Sequence, residues 1–295
     1  GASTFAMATP RRGALPVSRL IRFLGADGKI HYGEPPARPG LPARILEGCP
    51  FGELKPTGHT CQVTRLLPPI APVNIFCIGL NYMKHYEESA KKRGIALPDY
   101  PVIFMKPTTA LCGPEDPVWL PQIEKGEQLD WEVELGVVIG ESCRNVKAAD
   151  ALKYVSGYVI TNDVSSRHWQ KESGAGQWIK GKSFDTFCPV GPVLVSADVV
   201  KDPQTLRVVT KVNGEVMQDS NTSDMIFPVA KIIEWLSNNM TLAPGTLIMT
   251  GTPSGVAAGR SPPNWLKAGD VMELEIDQLG VLRNPVVSPP DMAKL

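Results

Sequence analysis

Residues 130–140 read Asp130-Trp131-Glu132-Val133-Glu134-Leu135-Gly136-Val137-Val138-Ile139-Gly140. From residue 133 to residue 139 the run is apolar, rich in β-branched residues and closed by a glycine, the pattern of a buried strand. Its first half nevertheless carries Asp130, Glu132 and Glu134 on alternate positions. Alternate residues of a strand share a face, so a strand bound for a core would aim these carboxylates at one place. Charge buried in that way needs positive charge to meet it, and a hard divalent cation is one answer. An edge strand with a solvated acidic face is the other. These residues alone leave both readings open.

The whole chain sets the frame for that stretch. Its 295 residues, 43% of them hydrophobic, suffice for one large domain or a medium one plus a small one. Lys+Arg and Asp+Glu both number 30, so no global field favours nucleic acid or an anionic membrane. No apolar run approaches the ~20 residues of a membrane-spanning helix. The 28 prolines and 27 glycines predict many turns and a β-heavy fold. Six dispersed cysteines without a CxxC pair argue against a zinc ribbon, a redox motif or a disulfide framework, and for a reduced, intracellular setting. Residues 1–9 hold no signal-peptide core and read as an added scar plus a native end. Arg11, Arg12, Arg19 and Arg22 precede the first acidic residue, Asp27, a faint transit-peptide pattern.

Outward from the acidic stretch, residues 1–72 read as a small irregular β-rich module. Residues 18–23, the turn at 25–28 and residues 29–33 predict a hairpin, and the module ends in a proline-studded junction at 67–72. Residues 73–79 predict a short buried strand. Asn81 reads as the N-cap of a helix over 82–93, with Lys91, Lys92 and Arg93 at its negative end and Gly94 just beyond. His85 and Glu88 lie three apart on that helix and can touch. A carboxylate beside an imidazole orients it and raises its basicity, which suits a general base, although an ordinary surface ion pair has the same spacing. Residues 102–106 predict another strand.

Downstream, residues 158–164 predict a strand carrying Asp163, a candidate third oxygen ligand beside Glu132 and Glu134. Residues 165–171 predict a helical turn on which Arg167 and Gln170 share a face, one offering a fork for a carboxylate and the other an amide. Residues 180–185 read as a polar loop. Asn213-Gly214 predicts a tight hairpin turn, and residues 228–238 an amphipathic helix with Val229, Ile232, Ile233 and Leu236 on one side. Residues 247–250 predict a strand running into the turn Gly251-Thr252-Pro253-Ser254-Gly255.

Seven motifs in this order resemble one family. They are Gly79-Leu80-Asn81-Tyr82 with His85 and Glu88, Phe104-Met105-Lys106-Pro107, Glu132-x-Glu134, and Asn162-Asp163-Val164-Ser165-x-Arg167-x-x-Gln170. Lys182-Ser183-Phe184-Asp185-x-Phe187-Cys188-Pro189, Gln218-x-x-Asn221-Thr222-x-x-Met225-Ile226-Phe227 and Thr250-Gly251-Thr252-Pro253-x-Gly255-Val256 complete the set. Together they look like the fumarylacetoacetate hydrolase family, in particular its smaller acylpyruvate hydrolase, oxaloacetate decarboxylase and tautomerase members. The motifs are specific for the family and poorly specific for the substrate.

The resemblance implies an α+β, β-rich fold: a mixed β-sandwich roll over residues 73–287, preceded by the module at 1–72 and followed by a tail at 288–295. It implies Mg²⁺ or Mn²⁺ held by Glu132, Glu134 and Asp163, an active-site Lys182, a His85–Glu88 dyad on a mobile lid, and substrate contacts from Arg167, Gln170 and Thr252. Ser166 stands where alanine is commoner. The expected reaction is hydrolysis of an acylpyruvate-type C–C bond through a stabilised pyruvate enolate, with water activated by the dyad. Oxaloacetate decarboxylation and tautomerisation use the same parts and are the alternatives. A non-catalytic metabolite-binding descendant is the reading outside enzymology. The expected partner is a small 2-oxo acid, with neither nucleic acid nor membrane. The expected assembly is a homodimer, and the expected location intracellular, cytoplasmic or mitochondrial.

Overall fold

The apolar run over residues 133–139 is a fully buried interior strand of the large sheet. A computed structural model describes residues 13, 15–38, 40–123, 128–171 and 175–289; the reading of residues 1–9 and the end of the tail lie outside them. Numbered along the chain, the first strands are β1 (Arg19–Gly25), β2 (Ile30–Glu34), β3 (Ala43–Gly48), β4 (Leu54–Cys61), β5 (Val63–Leu67) and β6 (Ile75–Gly79). Helix α1 (Met83–Glu88) and strands β7 (Val102–Met105), β8 (Leu111–Cys112), β9 (Val118–Trp119), β10 (Leu129–Asp130) and β11 (Val133–Ile139) follow. Next come α2 (Ala148–Ala151), β12 (Val155–Asn162), β13 (Ser165–Ser166), α3 (Arg167–Lys171), α4 (Ile179–Lys182) and β14 (Cys188–Ser196). The chain closes with β15 (Arg207–Val212), β16 (Glu215–Asn221), α5 (Val229–Ser237), β17 (Leu247–Met249), β18 (Val271–Ile276) and β19 (Gly280–Val287).

The large sheet runs β4-β3-β2-β1-β14-β12-β11-β17-β6-β7, with β5 on β1 and β8 on β14. A second sheet, β16-β15-β18-β19-β9, packs on it through β18 and β19 against β12 and β14. This is the expected β-rich mixed sandwich. Every residue of β11 is buried, as its unbroken apolar run requires. The Asn213-Gly214 hairpin has both turn residues at positive φ, 52° and 80°, as a primed turn demands. Helix α5 buries Val229, Ile232, Ile233 and Leu236, as its periodicity predicts.

Strand direction positions the site. β11 is antiparallel to both β12 and β17, and β17 is parallel to β6. The start of β11 therefore meets the ends of β12, β17 and β6 at one edge. Val133 pairs with Asn162, and the Asp163 amide donates to the Glu132 carbonyl at 2.9 Å. Register alone thus brings the two acidic segments together.

Three local expectations change. Asp130, Glu132 and Glu134 do not ride one strand: β10 pairs with β13, and β11 begins only at Val133. The helix expected over 82–93 stops at Glu88, and a separate 3-10 turn spans Lys91–Arg93 before Gly94 at φ 71°. Asn81 does not cap it. Its side chain instead donates to the carbonyls of Thr250 and Phe227 and accepts from the Phe227 amide, tying the β6 end to the β17 end. The third change is at 180–185, where α4 replaces the first part of the expected loop and carries Lys182 into the interior.

Candidate functional site

Glu132, Glu134 and Asp163 are buried and each offers a carboxylate oxygen, all within 4.8 Å of one another. Three cations close on them. Lys182 Nζ donates to Glu132 Oε2 at 2.8 Å and to Asp163 Oδ2 at 2.6 Å. Arg167 Nη2 lies 2.6 Å from Glu132 Oε1. Lys106 Nζ lies 2.7 Å from Asp163 Oδ1. The last two are ion-pair contacts outside hydrogen-bond geometry. For Lys106 the reason is plain: its donors go to the carbonyls of Val164, Lys182 and Phe187.

Charge is distributed unevenly over the three acids. Burial alone would raise Glu132, but Lys182 and Arg167 outweigh it and hold its carboxyl far below the usual carboxylate range. Glu134 has no cation partner among the described residues; Oε2 accepts only the Gly251 amide, at 2.8 Å. Burial first, then Asp163 and Glu132, push Glu134 well above the usual range. Burial works against the Lys182 ammonium, but Asp163 and Glu132 raise it on balance. An all-oxygen set with one uncompensated buried carboxylate fits a hard divalent cation, and no thiolate or imidazole belongs to it.

A cavity of about 320 Å³ opens over this cluster. Glu132, Glu134, Arg167, Gln170, Lys182, Thr252 and His85 line it, with Ile78, Leu80, Phe104, Trp178 and Val256 as apolar wall. Asp163 is fully buried and does not line the cavity; it lies beneath Lys182. The structure thus brings every residue singled out from the sequence to one place. Leu80, at φ 54°, turns the chain from β6 towards α1 and so carries His85 back over the sheet edge. His85 Nδ1 lies 2.7 Å from Glu88 Oε1, and the Gly255 amide donates to both Glu88 oxygens at 3.1 Å. A carboxylate accepting from Nδ1–H leaves Nε2 with the lone pair. The dyad is largely buried, its side chains 10% and 19% exposed, so the reading of an open surface pair does not apply.

The supports of these side chains come from far away in sequence. Gln170 Oε1 accepts from Arg167 Nη1 at 2.9 Å, so the polarity this side chain can still offer the cavity it lines is the NH₂ donor. Thr252 Oγ1 accepts from Gln218 Nε2 at 2.9 Å, which leaves the hydroxyl proton. Gly251, at φ 97°, permits the close approach there: a Cβ would stand 2.7 Å from Asn81 Cβ. At the cavity rim, partial loss of hydration and then the Arg167 charge pull the exposed Lys171 below the usual lysine range.

Two of these supports were given no role in the sequence reading. Asp130, read there only as one of three carboxylates on alternate positions, is fully buried and orients Arg167, accepting from its Nε at 2.7 Å. It also accepts from the amides of Trp131, Ala257 and Ala258. Lys106 had a signal: on the strand expected over residues 102–106, period two from Phe104 puts the lysine on the same face, and both are buried although β7 ends at Met105.

Comparison with known proteins fits this geometry. The model of the Fumarylacetoacetate (FAA) hydrolase C-terminal family matches residues 74–287. The mitochondrial oxaloacetate tautomerase fahd2 of Xenopus laevis is 42% identical over 261 residues, covering 84% of this chain and 80% of that protein. The mitochondrial oxaloacetate tautomerase FAHD2A of Bos taurus is 46% identical over 226 residues, 77% of this chain and 70% of that protein. The solved 2-hydroxyhepta-2,4-diene-1,7-dioate isomerase from Mycobacterium marinum superposes with a TM-score of 0.79 at 39% identity, over 93% of this chain and 100% of its own. With the matched model spanning most of the sequence and these identities over most of its length, the chain belongs to the fumarylacetoacetate hydrolase family.

Proposed function

We propose that this enzyme is a tautomerase of a short dicarboxylic 2-oxo acid of the oxaloacetate class. The observation that carries the reading is the pairing, in one small cavity, of an oriented imidazole with an ammonium fixed over the acid cluster. The two relatives named as tautomerases and the neighbour named as an isomerase support it over the hydrolysis expected from sequence.

The chemistry needs only a proton to move. His85 Nε2 takes a proton from C3 of the keto acid and returns it at O2, with Glu88 holding the ring. Negative charge that develops on O2 is met by the Lys182 ammonium, whose hydrogens already point into the acid cluster and make it a charge stabiliser rather than the base. Arg167, Gln170 and Thr252 supply donors for the substrate carboxylates, and the basic rim of Arg93 and Lys171 suits the second one. The walls of Ile78, Phe104 and Trp178 keep water from the carbanion. Glu132, Glu134 and Asp163 would hold Mg²⁺ or Mn²⁺, which when bound supplies Lewis acidity towards the 2-oxo oxygen.

The names of these relatives extend the proposal to a mitochondrial location, and the family resemblance extends it to a homodimer. It also keeps residues 73–287 as the catalytic unit, with 1–72 as an appended module and 288–295 as a tail. Acylpyruvate hydrolysis is the second reading, favoured by the intact dyad, which can equally take a proton from water.

The test follows the decay of the oxaloacetate enol absorbance and, separately, cleavage of acetylpyruvate, each with Mg²⁺ and with EDTA. Enol conversion that EDTA removes and Mg²⁺ restores, without acetylpyruvate cleavage, is the expected result. Fast acetylpyruvate cleavage with no effect on the enol would sink the tautomerase reading. His85→Ala is expected to lower turnover by about 10²–10⁴-fold; wild-type turnover would remove His85 as the base. A subtler variant probes the dyad from outside. A Cβ on Gly259 would stand 2.9 Å from Glu88 Cδ, so Gly259→Ala should displace the carboxylate. We expect kcat to fall by up to about 10²-fold while thermal unfolding stays near that of the parent. An unchanged kcat would show that the placement of Glu88 is not limiting.

A further inference from the structure

A second group of ligating side chains lies away from this cavity, on the N-terminal strands. Asp27 sits in the turn between β1 and β2, His31 in β2, and Cys61 at the end of β4. Each offers one ligand atom, all within 4.8 Å of one another. His31 Nε2 lies 2.9 Å from Asp27 Oδ2, and Cys61 Sγ lies 3.8 Å from Asp27 Oδ1.

Gly25 supplies the independent observation. A Cβ built there would lie 2.6 Å from both Asp27 Oδ1 and Cys61 Sγ, and 3.1 Å from His31 Cδ2. Gly25 is not among the residues at positive φ, so its missing side chain serves space rather than backbone conformation. All three ligating groups converge on the gap it leaves. The His31 ring is fixed in orientation by the buried Phe23, with ring centroids 5.5 Å apart. The His31 side chain is only 15% exposed and that of Asp27 42%, so the group opens to solvent on one side.

We propose that Asp27, His31 and Cys61 form a binding site for a borderline divalent transition ion of the zinc class, with water completing the shell. Tetrahedral bonds to sulfur, nitrogen and oxygen at zinc distances place ligand atoms roughly 3.3–3.7 Å apart. Measured to the one oxygen that both approach, Asp27 Oδ1, the separations are 3.0 Å for His31 Nε2 and 3.8 Å for Cys61 Sγ, which bracket that range, so small side-chain shifts close the site. Imidazole and thiolate donors favour this class over Mg²⁺, whereas the carboxylate cluster has the opposite preference. Binding releases the Cys61 thiol proton to solvent and replaces the His31–Asp27 contact, without change of oxidation state. The ion would clip the β1–β2 turn to the end of β4, stiffening the strands that extend the large sheet from β1. The proposal does not depend on the tautomerase reading.

The experiment uses the intact protein under argon with excess Mg²⁺, titrated with Co²⁺ as a spectroscopic stand-in and then with Zn²⁺. One equivalent of Co²⁺ should give a thiolate-to-cobalt charge-transfer band that Zn²⁺ abolishes. Cys61→Ser should lose the band, and His31→Ala should weaken Co²⁺ binding by at least about tenfold. Cys49→Ser, which alters the exposed thiol nearby in sequence, should keep it, as should Glu134→Gln in the carboxylate cluster. Zn²⁺ should raise the melting temperature of the parent and not of Cys61→Ser; if that variant does not fold, His31→Ala carries the same comparison. Absence of the band at one equivalent, or its survival in Cys61→Ser, overturns the proposal.

Discussion

Replacing Lys182 with methionine is expected to lower kcat by about 10²–10³-fold, the usual loss when a charge-stabilising donor is removed from a buried site. Methionine keeps the volume of the stem and its contact with Phe104, over whose ring Nζ now lies at 5.1 Å. What it removes is the cation between Glu132 and Asp163. KM should change less than kcat, because charge on O2 is larger in the transition state than in the bound keto acid. Lys182→Met should also lose stability, since two buried carboxylates give up a partner. The rate comparison must therefore be made where circular dichroism shows both proteins folded. A folded Lys182→Met enzyme with parental kcat would remove the ammonium from the mechanism.

The same residue shows where a sequence is and is not informative. Lys182 could be matched to a family motif, but the surrounding residues 180–185 read as a polar loop. Its burial follows from α4 packing on α3, where a Cβ on Gly181 would stand 2.3 Å from the Gln170 amide nitrogen. By contrast β11, the Asn213-Gly214 hairpin and α5 are written in local pattern, and each is where the pattern puts it. Glu132 and Glu134 were legible as charge in an apolar strand, though only the pairing of Val133 with Asn162 brings Asp163 beside them. Asp130 was not legible, because its partners Arg167, Ala257 and Ala258 lie 37, 127 and 128 residues away. Hydrolysis and tautomerisation could not be separated for a different reason: the proposed base, ammonium and acid cluster would serve both, and only the fate of a water molecule would distinguish them.

Lys106 carries the last and most structural prediction. Its ammonium donates to Val164 at 3.0 Å, Lys182 at 2.6 Å and Phe187 at 2.7 Å, all backbone carbonyls, and touches Asp163. Those atoms belong to the segment after β12, the end of α4 and the approach to β14, so one side chain joins the pieces that hold the acid cluster. Its own side chain and that of Asp163 are wholly buried. Lys106→Met would strand Asp163 Oδ1 and three carbonyls at once, leaving Lys182 alone on the other carboxylate oxygen, and removing one partner of a buried pair costs about 3–5 kcal/mol. At roughly 2–4 °C per kcal/mol for a chain of this size, the melting temperature should fall by about 6–20 °C. A merely structural role predicts that alone. A role in placing Asp163 predicts in addition that, at a temperature where the variant is folded, its affinity for Mn²⁺ falls and its kcat with it. Unfolding in urea within about 1 kcal/mol of the parent would sink the first claim, since surface-like effects are no larger than this. Parental Mn²⁺ affinity in the folded variant would sink the second, and would leave Lys182 as the one ammonium on which the geometry of Asp163 depends.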